Sequence, residues 1–283
     1  MSKFVILYNP KAGNGTGLQM AEQIPVKDGF ERELIDVTKI TDFEEVFSKL
    51  SGEDKLVLSG GDGTLNRFVN DTAKLNRPKG ILFYASGTGN DFLNDIGRPE
   101  DGFVELDPYI THLPEVTING KTCLFLNGIG FGIDGYCCEE GDRQREAGKK
   151  KINYTSIAIL GLLFHFKPRN AKVTVDGVTK EFKKVWIAPT MNGRCYGGGM
   201  FPTPAQDRLK NDTVSVALMY GKGRLKTLMV FPSIFKGEHV KHTEMVEIMT
   251  GKEVTVTFDQ PTALQIDGET VKNVTSYTVK AAE

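Results

Sequence analysis

The sequence predicts two domains: an α/β domain at residues 1–107, followed by an all-β domain, an antiparallel β-sandwich, at residues 108–283. The length of 283 residues exceeds the usual size of one domain. The first part alternates short β-like runs with helical patterns, which is typical of a mostly parallel sheet covered by helices. After about residue 107 the runs become β-branched or aromatic and are separated by turn residues, which favours antiparallel strands. A return of the last strand to the first domain stays an open alternative.

The predicted elements follow the chain in this order. Strands of the first domain are KFVILYN, RELIDV, KLVLS and GILFYA, and the helices between them are LQMAEQI, DFEEVFSKL and TLNRFVNDTAKL. Strands of the second domain are EVTI, KTCLFLN, AKVTVDG, KKVWIAP, TVSVALMY, EVTVTF, TALQIDG and SYTVK. One helical insertion is expected at about residues 149–167. The charged segment EEGDRQREAGKKK, residues 139–151, is expected to be a mobile loop.

Charge and composition exclude several classes of function. The chain has 35 basic and 36 acidic residues, so it lacks the general positive field that captures nucleic acid, and no nucleic-acid partner is expected. Four cysteines without a CxxC pair indicate reduced thiols in a cytoplasmic protein. The start of the chain lacks a signal-peptide pattern, and the most apolar stretch, IAILGLLFHF, is far short of the ~20 residues that span a bilayer. We expect a soluble, cytoplasmic protein.

Three glycine-rich junctions predict a phosphate site. NPKAGNGTG, SGGDGT and ASGTGNDF each follow a strand candidate, so all three should lie at one edge of the parallel sheet. Glycine permits positive φ and close approach of a ligand to the backbone, and a helix N-terminus attracts phosphate oxygens. Two better-known signatures do not explain these junctions. No GxxxxGK[ST] occurs, and the GxGxxG at Gly130, Gly132 and Gly135 lacks a convincing apolar helix and a later strand-borne acid.

The combination of NPKAG, SGGDGT and GTGNDF resembles the diacylglycerol kinase catalytic family, which includes bacterial soluble lipid kinases, sphingosine kinases and ceramide kinases. LNGIGFGID, NGRCYGGGMFPTP, FKGEHV and LQIDGE follow in the expected order, so the resemblance covers nearly the whole chain. It implies a nucleotide-binding α/β domain like that of NAD kinases and phosphofructokinases, and a β-sandwich domain for the lipid substrate. The implied reaction is transfer of the γ-phosphate of ATP to a lipid hydroxyl, most simply diacylglycerol to phosphatidic acid, with Mg²⁺.

The resemblance also implies roles for individual residues. Asp62 would lie beside the phosphates and act through Mg²⁺. Asp267 would be the base that accepts the hydroxyl proton, supported by Glu269. Asp62 is the rival base, because sphingosine kinases are assigned their base within the glycine loop, and a plain hairpin turn is the alternative for Asp267-Gly268. The residues implied to surround ATP are Asn9, Thr38, Gly60, Gly61, Asp62, Gly63, Thr64, Leu65, Asn66, Gly87, Thr88, Asn90 and Asp91.

The metal loop departs from the family pattern. The family usually has LxDGxLDV after its GGG segment, and the aspartate helps to bind a structural Mg²⁺. This chain has LKNDTVSV, with Asn211 at the aspartate position and Asp212 at the glycine position. An amide oxygen coordinates Mg²⁺ without the charge of a carboxylate, so the structural metal is an open question. His239 and His242 lack a third ligand and are expected on a surface helix or loop.

Two segments that mix basic and apolar residues are candidates for lipid entry. KKKINYTSIAILGLLFHFKPR could place Leu160, Leu163 and Phe164 on one face that covers the core, the more common use of such a pattern, or that borders an acyl channel. GRLKTLMVFPSIFKGEHVKH has a similar composition. We expect a peripheral, transient association with a membrane surface, and a homodimer stays open. The competing functions are an NAD kinase and a non-catalytic lipid- or nucleotide-binding regulator.

Overall fold

The computed structural model describes residues 2–87, 90–149, 151–210 and 212–282. The chain divides into two compact units, residues 1–112 and 113–283. Among the described residues, the first unit is an α/β unit and the second is built mainly from antiparallel strands. The predicted fold class is confirmed.

In the first unit, the described residues form a five-stranded sheet in the order β2-β1-β3-β4-β5. Its strands are β1 (Ser2–Tyr8), β2 (Phe30–Asp36), β3 (Lys55–Gly60), β4 (Leu82–Ala85) and β5 (Phe103–Glu105). The first four strands are parallel, as expected, and β5 adds an antiparallel edge that the patterns did not predict. Phe4, Ile6 and Val57 are fully buried because helices cover the sheet. The helices are α1 (Ala12–Gly15), α2 (Gly17–Glu22), α3 (Phe43–Ser48), α4 (Asp62–Asp71), α5 (Asp91–Ile96) and α6 (Asp107–Ile110).

The division between the units lies five residues beyond the expected boundary, because α6 belongs to the first unit. The Asp107 carboxylate accepts the main-chain N–H of Gly80 at 2.9 Å. The guanidinium of Arg77 donates to the Ile110 carbonyl at 3.0 Å and to the Val69 carbonyl at 2.7 Å. These bonds tie α6 to the end of α4 and to the turn before β4.

Antiparallel pairing dominates the second unit. The described strands run in the order β13-β12-β11-β8-β14-β15-β6-β7, and a β9–β10 hairpin joins the sheet through β14. The strands are β6 (Glu115–Ile118), β7 (Lys121–Leu124), β8 (Gly128–Gly132), β9 (Arg169–Val175), β10 (Val178–Val185), β11 (Ile187–Met191), β12 (Val214–Met219), β13 (Val246–Gly251), β14 (Glu253–Ile266) and β15 (Glu269–Lys280). The last strand, β15, pairs with β14 and β6 and belongs to the second unit.

Three α-helices accompany these strands in the described ranges: α7 (Ile133–Glu146), α8 (Tyr154–Leu160) and α9 (Arg224–Val230). Alpha-helix α8 continues directly into a π-helical segment, Gly161–His165. The expectation of a mobile loop at residues 139–151 is wrong as far as Glu146, where α7 ends, and Lys150 lies outside the described residues. Salt bridges between Arg143 and Glu140, and between Arg145 and Asp142, support its exposed face at a spacing of three residues.

The GxGxxG glycines have a packing role. Gly130 and Gly132 lie in β8 and Gly135 lies in the first turn of α7, a helix that is mostly polar. A Cβ at Gly130 would lie 2.8 Å from the Pro189 Cα, and a Cβ at Gly135 would lie 2.0 Å from the Ala263 carbonyl oxygen. These two glycines, and Gly132 with its Cβ position 2.4 Å from the Trp186 carbonyl oxygen, therefore let β8 and α7 approach the backbones of their neighbours.

Candidate active site

In the first unit, the three glycine junctions lie side by side at the carboxyl ends of β1, β3 and β4. The Asn9 N–H donates to the Ser59 carbonyl at 3.2 Å, which joins the first and second junctions. The Ser86 N–H donates to the Gly60 carbonyl at 2.8 Å, which joins the second and third. Parallel pairing of the three strands therefore produces the shared edge on which a phosphate site was predicted.

Asn9 connects the first two junctions through its side chain. Its Nδ2 donates to Thr64 Oγ1 at 2.8 Å, and its Oδ1 accepts the Lys11 N–H at 3.0 Å. Gly17 is required here, because a Cβ at that position would lie 1.9 Å from the Asn9 carbonyl oxygen. Asn9 and Thr64, both predicted around ATP, are thus brought together.

The second junction opens helix α4 with glycines of different function. Gly61 is extended and precedes the helix, and its carbonyl accepts the N–H groups of Thr64 and Leu65. A Cβ at Gly60 would lie 2.4 Å from the Thr64 Cβ, whereas a Cβ at Gly63 would meet no atom of the described residues within 4 Å outside its chain neighbours and the backbone of its own helix. Gly63 is exposed, so this first turn leaves room for a ligand beside the backbone. Leu65 is fully buried, and only its main chain faces the junction; Asn66 is partly buried.

Asp62 holds the second and third junctions together. Its Oδ2 accepts the Asp91 N–H at 2.7 Å and its Oδ1 accepts the Phe92 N–H at 3.2 Å, so it caps the N-terminus of α5. The backbones of the two junctions touch, because a Cβ at Gly87 would lie 2.6 Å from the Gly61 Cα. Buried Asn90 donates from Nδ2 to the Gly87 carbonyl at 3.0 Å. Thr88 lies outside the described residues.

Thr38 follows β2 in a short 3₁₀ turn. Its main-chain N–H and its hydroxyl both donate to Asp36 Oδ1, at 3.0 and 2.7 Å. The Thr38 side chain is therefore fixed by the acid at the end of its own strand.

In the second unit, Asp267 and Gly268 form the two-residue turn between β14 and β15. Their φ values are 45° and 91°, as a hairpin turn of this kind requires. The turn interpretation is correct, and the Asp267 carboxylate has further contacts. It accepts the N–H groups of Leu126, Asn127 and Gly128 at 2.5, 2.8 and 3.0 Å. Three main-chain donors thus fix the orientation of this carboxylate.

A buried polar frame supports those donors. Arg208, 5% exposed, donates from Nη2 to Asn127 Oδ1 at 2.9 Å and from Nη1 to the Leu126 carbonyl at 3.3 Å. Asn192 Nδ2 donates to the same Leu126 carbonyl at 3.0 Å. Sequence reasoning missed both residues as site residues: Asn192 lay inside a quoted motif, whereas Arg208 had no local signal. Glu269 is exposed directly after the turn, opposite Ile266 in the ladder.

Two family models match the chain in succession. The diacylglycerol kinase catalytic domain matches residues 3–115, and the YegS C-terminal NAD kinase beta sandwich-like domain matches residues 127–280. The chain belongs to the diacylglycerol kinase catalytic-domain family.

Individual relatives of this family cover most of the chain. A diacylglycerol kinase of Mycobacterium tuberculosis is 26% identical over 276 residues, covering 92% of this chain and 86% of the relative. A diacylglycerol kinase of Staphylococcus carnosus is 25% identical over 271 residues, covering 93% and 87%. The crystal structure of a diacylglycerol kinase from Bacillus anthracis matches with a TM-score of 0.61 and 19% identity over 99% of this chain and 94% of that one, which supports the fold.

Of the two candidate residues of the metal loop, only Asp212 lies among the described residues. Asp212 is exposed, and Asn211 lies outside the described residues. Within the described ranges, no group of three or more His, Cys, Asp or Glu side chains is placed to hold a metal ion. His239 is buried, not on the surface as expected. Its Nε2 lies 2.9 Å from the Pro202 carbonyl oxygen, and burial lowers the pKa of its imidazole.

Asp134, in the family motif LNGIGFGID, is a buried acid to which sequence reasoning gave no role. Desolvation raises its pKa to about 7, although the hydroxyl of Tyr196 donates to Oδ2 and opposes that shift. Its Oδ1 is buried and has no hydrogen-bond partner among the described residues. This carboxyl therefore changes its charge near neutral pH.

Exposed apolar side chains occur on α8, the π-helical segment, α9 and the 3₁₀ segment after it (Phe231–Lys236), and together they are called the apolar face. Phe164 is 67% exposed, Leu225 75% and Met229 72%, with Leu160 and Phe235 also exposed. Arg224 Nη1 donates to the Leu162 carbonyl at 2.8 Å, which joins α9 to the π-helical segment. The expectation that Leu160 and Phe164 cover the core is wrong, because Ile157, Leu162 and Phe166 fill that role. No helix in the described ranges combines the length and the hydropathy needed to cross a membrane.

Proposed function

We propose that this chain is an ATP-dependent lipid kinase that transfers the γ-phosphate to a lipid hydroxyl, with diacylglycerol as acceptor and phosphatidic acid as product. Membership of the family and the names of the relatives support a lipid kinase. The observation that carries the proposal is the second glycine junction, where the open position at Gly63 leaves the first turn of α4 accessible. NAD kinase activity and a non-catalytic role are the alternatives that the experiment below separates.

The nucleotide is assigned to the three junctions of the first unit. Helix α4 is ten residues long, and the N-terminal end of such a helix favours negative charge. The residues present fit a phosphate chain, because outside the first turn of α4 no described atom lies within 4 Å of the Gly63 Cβ position. Mg²⁺ that arrives with ATP would neutralise charge on the phosphates. We assign Asp62 the role of holding the second and third junctions together beneath the phosphates.

Asp267 is the proposed base. A lipid hydroxyl must lose its proton as the new bond to phosphorus forms, and a carboxylate of fixed orientation suits that task. The amides of Leu126, Asn127 and Gly128 supply the orientation. Glu269, two residues later and exposed, is assigned to support the base electrostatically.

A membrane surface is the proposed source of the acceptor lipid. The apolar face contains Phe164, Leu225 and Met229, side chains that cost free energy when exposed to water and suit the interface of a bilayer. Lys222, Lys226 and Lys236 accompany α9 and the 3₁₀ segment after it, and lysines near an anionic surface add attraction. We propose a peripheral and transient association through this face.

Phosphate transfer from labelled ATP to a panel of acceptors tests the function. The panel contains diacylglycerol, monoacylglycerol, sphingosine, ceramide, undecaprenol and NAD. We expect transfer to diacylglycerol in the parent and in Asp259→Asn, an exposed acid of β14 that serves as control. Asp267→Asn should lower kcat by at least about a hundredfold and leave ATP binding nearly unchanged. Transfer to NAD alone would overturn the lipid assignment, and ATP binding without any transfer would favour a regulator.

A further inference from the structure

His239 is a buried side chain to which the proposed phosphate transfer gives no role. It is 2% exposed and lies in the second of two 3₁₀ segments that follow α9, Glu238–Lys241. Its Nε2 lies 2.9 Å from the Pro202 carbonyl oxygen. A carbonyl oxygen only accepts hydrogen bonds, so Nε2 carries the proton and donates it to this bond. Pro202 therefore sets the tautomer of the ring.

The other ring nitrogen of His239 argues against a role in packing alone. Nδ1 is buried and has no hydrogen-bond partner among the described residues. A buried polar atom without a partner costs free energy, and an apolar side chain of similar size would fill the same space without that cost. Burial also lowers the pKa of the imidazole, so the ring is neutral at neutral pH. The hydrogen bond from Nε2 to Pro202 is therefore the contact that an apolar residue could not replace.

Pro202 belongs to residues 201–208, which we call the support segment. The first residue of this segment is also held by the 3₁₀ region, since the Phe201 N–H donates to the Ile234 carbonyl at 2.9 Å. The two 3₁₀ segments after α9 thus bind the start of the support segment at two successive residues. One of these bonds comes from the main chain, and the other comes from the imidazole of His239.

The start of the support segment is connected to the residues behind Asp267. Thr203, which is 1% exposed, donates from Oγ1 to the Gly193 carbonyl at 3.1 Å. The residue before Gly193 is Asn192, whose Nδ2 donates to the Leu126 carbonyl at 3.0 Å. The bond made by His239 therefore lies one residue away from a chain of buried hydrogen bonds that ends at Leu126.

The end of the support segment is connected to the same place. Arg208 donates to Asn127 Oδ1 at 2.9 Å and to the Leu126 carbonyl at 3.3 Å. The N–H groups of Leu126 and Asn127 donate to the Asp267 carboxylate. Both ends of the support segment thus contact the two residues whose amides orient the proposed base. A shift of this segment would move those amides, because buried groups are closely packed.

We propose that His239 is a positioning residue for phosphate transfer, whose Nε2–H holds the support segment in the place where the Leu126 and Asn127 amides orient Asp267. The inference rests on the proposed role of Asp267 as base. Loss of the bond should lower kcat and leave the KM for ATP unchanged, because the nucleotide is assigned to the first unit. The state of the amides is measured without any activity, so this proposal and the proposed function fail separately.

Two replacements of similar size separate the hydrogen bond from the volume of the ring. His239→Gln keeps an N–H donor for the Pro202 carbonyl, whereas His239→Met fills similar space without a donor. We expect His239→Met to lower kcat about tenfold with the KM for ATP within about twofold, and His239→Gln to keep kcat within about threefold of the parent. His242→Met makes the same change at a partly buried histidine nearby and should follow the parent.

Hydrogen exchange without substrates measures the positioning itself. In His239→Met the amides of residues 126–128 should exchange at least about tenfold faster than in the parent, and in His239→Gln they should exchange at nearly the parent rate. Val256 is fully buried in β14 between β9 and β15, so its amide reports global unfolding. We expect exchange at Val256 to change much less than exchange at residues 126–128.

A second variant tests the same connection without changing His239. Thr203→Val removes the hydroxyl bond to the Gly193 carbonyl at nearly constant volume and should accelerate exchange at residues 126–128 in the same way. This variant decides the question if His239→Met does not fold, and parent-like exchange in it would then overturn the proposal.

Three results with the His239 variants would also overturn the proposal. Parent-like exchange at residues 126–128 in His239→Met would show that the bond to Pro202 does not position these amides. Equal losses in His239→Met and His239→Gln would assign the effect to ring packing. Equal acceleration at Val256 and at residues 126–128 would show a general loss of stability. A parent protein without phosphate transfer would overturn the proposed function alone, because the exchange measurement contains neither ATP nor lipid.

Discussion

The carboxylate of Asp62 accepts the main-chain N–H of Asp91 at 2.7 Å, so an acid of the second glycine junction caps the helix that follows the third. The same carboxylate also accepts the Phe92 N–H. An aspartate of the GGDGT segment therefore has a structural task in addition to any part it takes in catalysis.

Replacing Asp62 separates those two tasks. Asp62→Ala removes the cap of α5, and we expect a loss of about 1–2 kcal/mol in the free energy of unfolding. Asp62→Asn keeps one oxygen acceptor and should lose less. Urea unfolding checks both values, with Asp259→Asn as control. Full stability in Asp62→Ala would show that the hydrogen bonds to α5 contribute little and that the acid acts in the chemistry alone.

A replacement of Gly63 should weaken ligand binding without lowering stability. Its Cβ position is clear of described atoms outside its own helix, so Gly63→Ala should leave the free energy of unfolding unchanged or raise it by up to about 1 kcal/mol. The added methyl group would lie where the phosphates are proposed, and ATP affinity should fall about tenfold, or about 1.4 kcal/mol. Isothermal titration with ATP measures this.

The matched control is Gly52→Ala, another exposed glycine of the first unit, whose Cβ position has no described atom within 4 Å beyond its chain neighbours. It should bind ATP like the parent. Equal affinity of Gly63→Ala and the parent would place the phosphates elsewhere.

The sequence predicted the elements that depend on local pattern and missed those that depend on distant partners. The three junctions were found because a strand, glycines and a helix follow one another within a few residues. Asp62 and Asp91 are far apart in the chain, and their pairing depends on how two loops meet. Helix α7 was missed because its exposed face is held by ion pairs instead of an apolar repeat. Periodicity placed Leu160 and Phe164 on a face but could not say whether that face would be covered.

Buried Asp134 predicts a pH dependence of stability. Its pKa is raised from the usual 3.8 to about 7 in the folded protein, so between these values the folded state binds one proton more than the unfolded state. Stability contributed by the protonated form is lost as pH rises through this range, by about 1.4 kcal/mol per pH unit. Asp134→Asn keeps an oxygen for the Tyr196 hydroxyl and removes the titration.

Urea unfolding at about pH 5 and about pH 8 tests this window. Relative to the parent, Asp134→Asn should gain stability at the higher pH and match it more closely at the lower one. Asp259→Asn, at an exposed acid, should follow the parent at both. Parallel pH profiles of the parent and Asp134→Asn would show that Asp134 keeps an ordinary carboxyl pKa.

Phe164 tests the apolar face. Because the side chain is 67% exposed, Phe164→Ser should change the free energy of unfolding by less than about 0.5 kcal/mol. Loss of its contact with lipid should lower the partition onto vesicles about tenfold, or about 1.4 kcal/mol. The control is Val178→Ser, which removes an equally exposed apolar side chain from the β9–β10 hairpin. Equal losses in the two variants would argue against a specific face.

Arg208 supports the residues that bind the proposed base, so it should affect catalysis without contacting the substrates. It holds the Asn127 side chain and the Leu126 carbonyl, and the N–H groups of those two residues bind Asp267. In Arg208→Ala the Asn127 Oδ1 loses this buried donor, at a cost of about 1–3 kcal/mol in stability, and the amides behind Asp267 lose a support. We expect kcat to fall and the KM for ATP to stay near the parent value, because the nucleotide is assigned to the first unit.

Added guanidinium should restore part of kcat in Arg208→Ala. The guanidinium concentration is kept low enough that it does not unfold the parent protein. Loss of stability without any change in kcat of the folded fraction would reduce Arg208 to a packing residue, whereas guanidinium rescue distinguishes support of Asp267 from a general loss of structure.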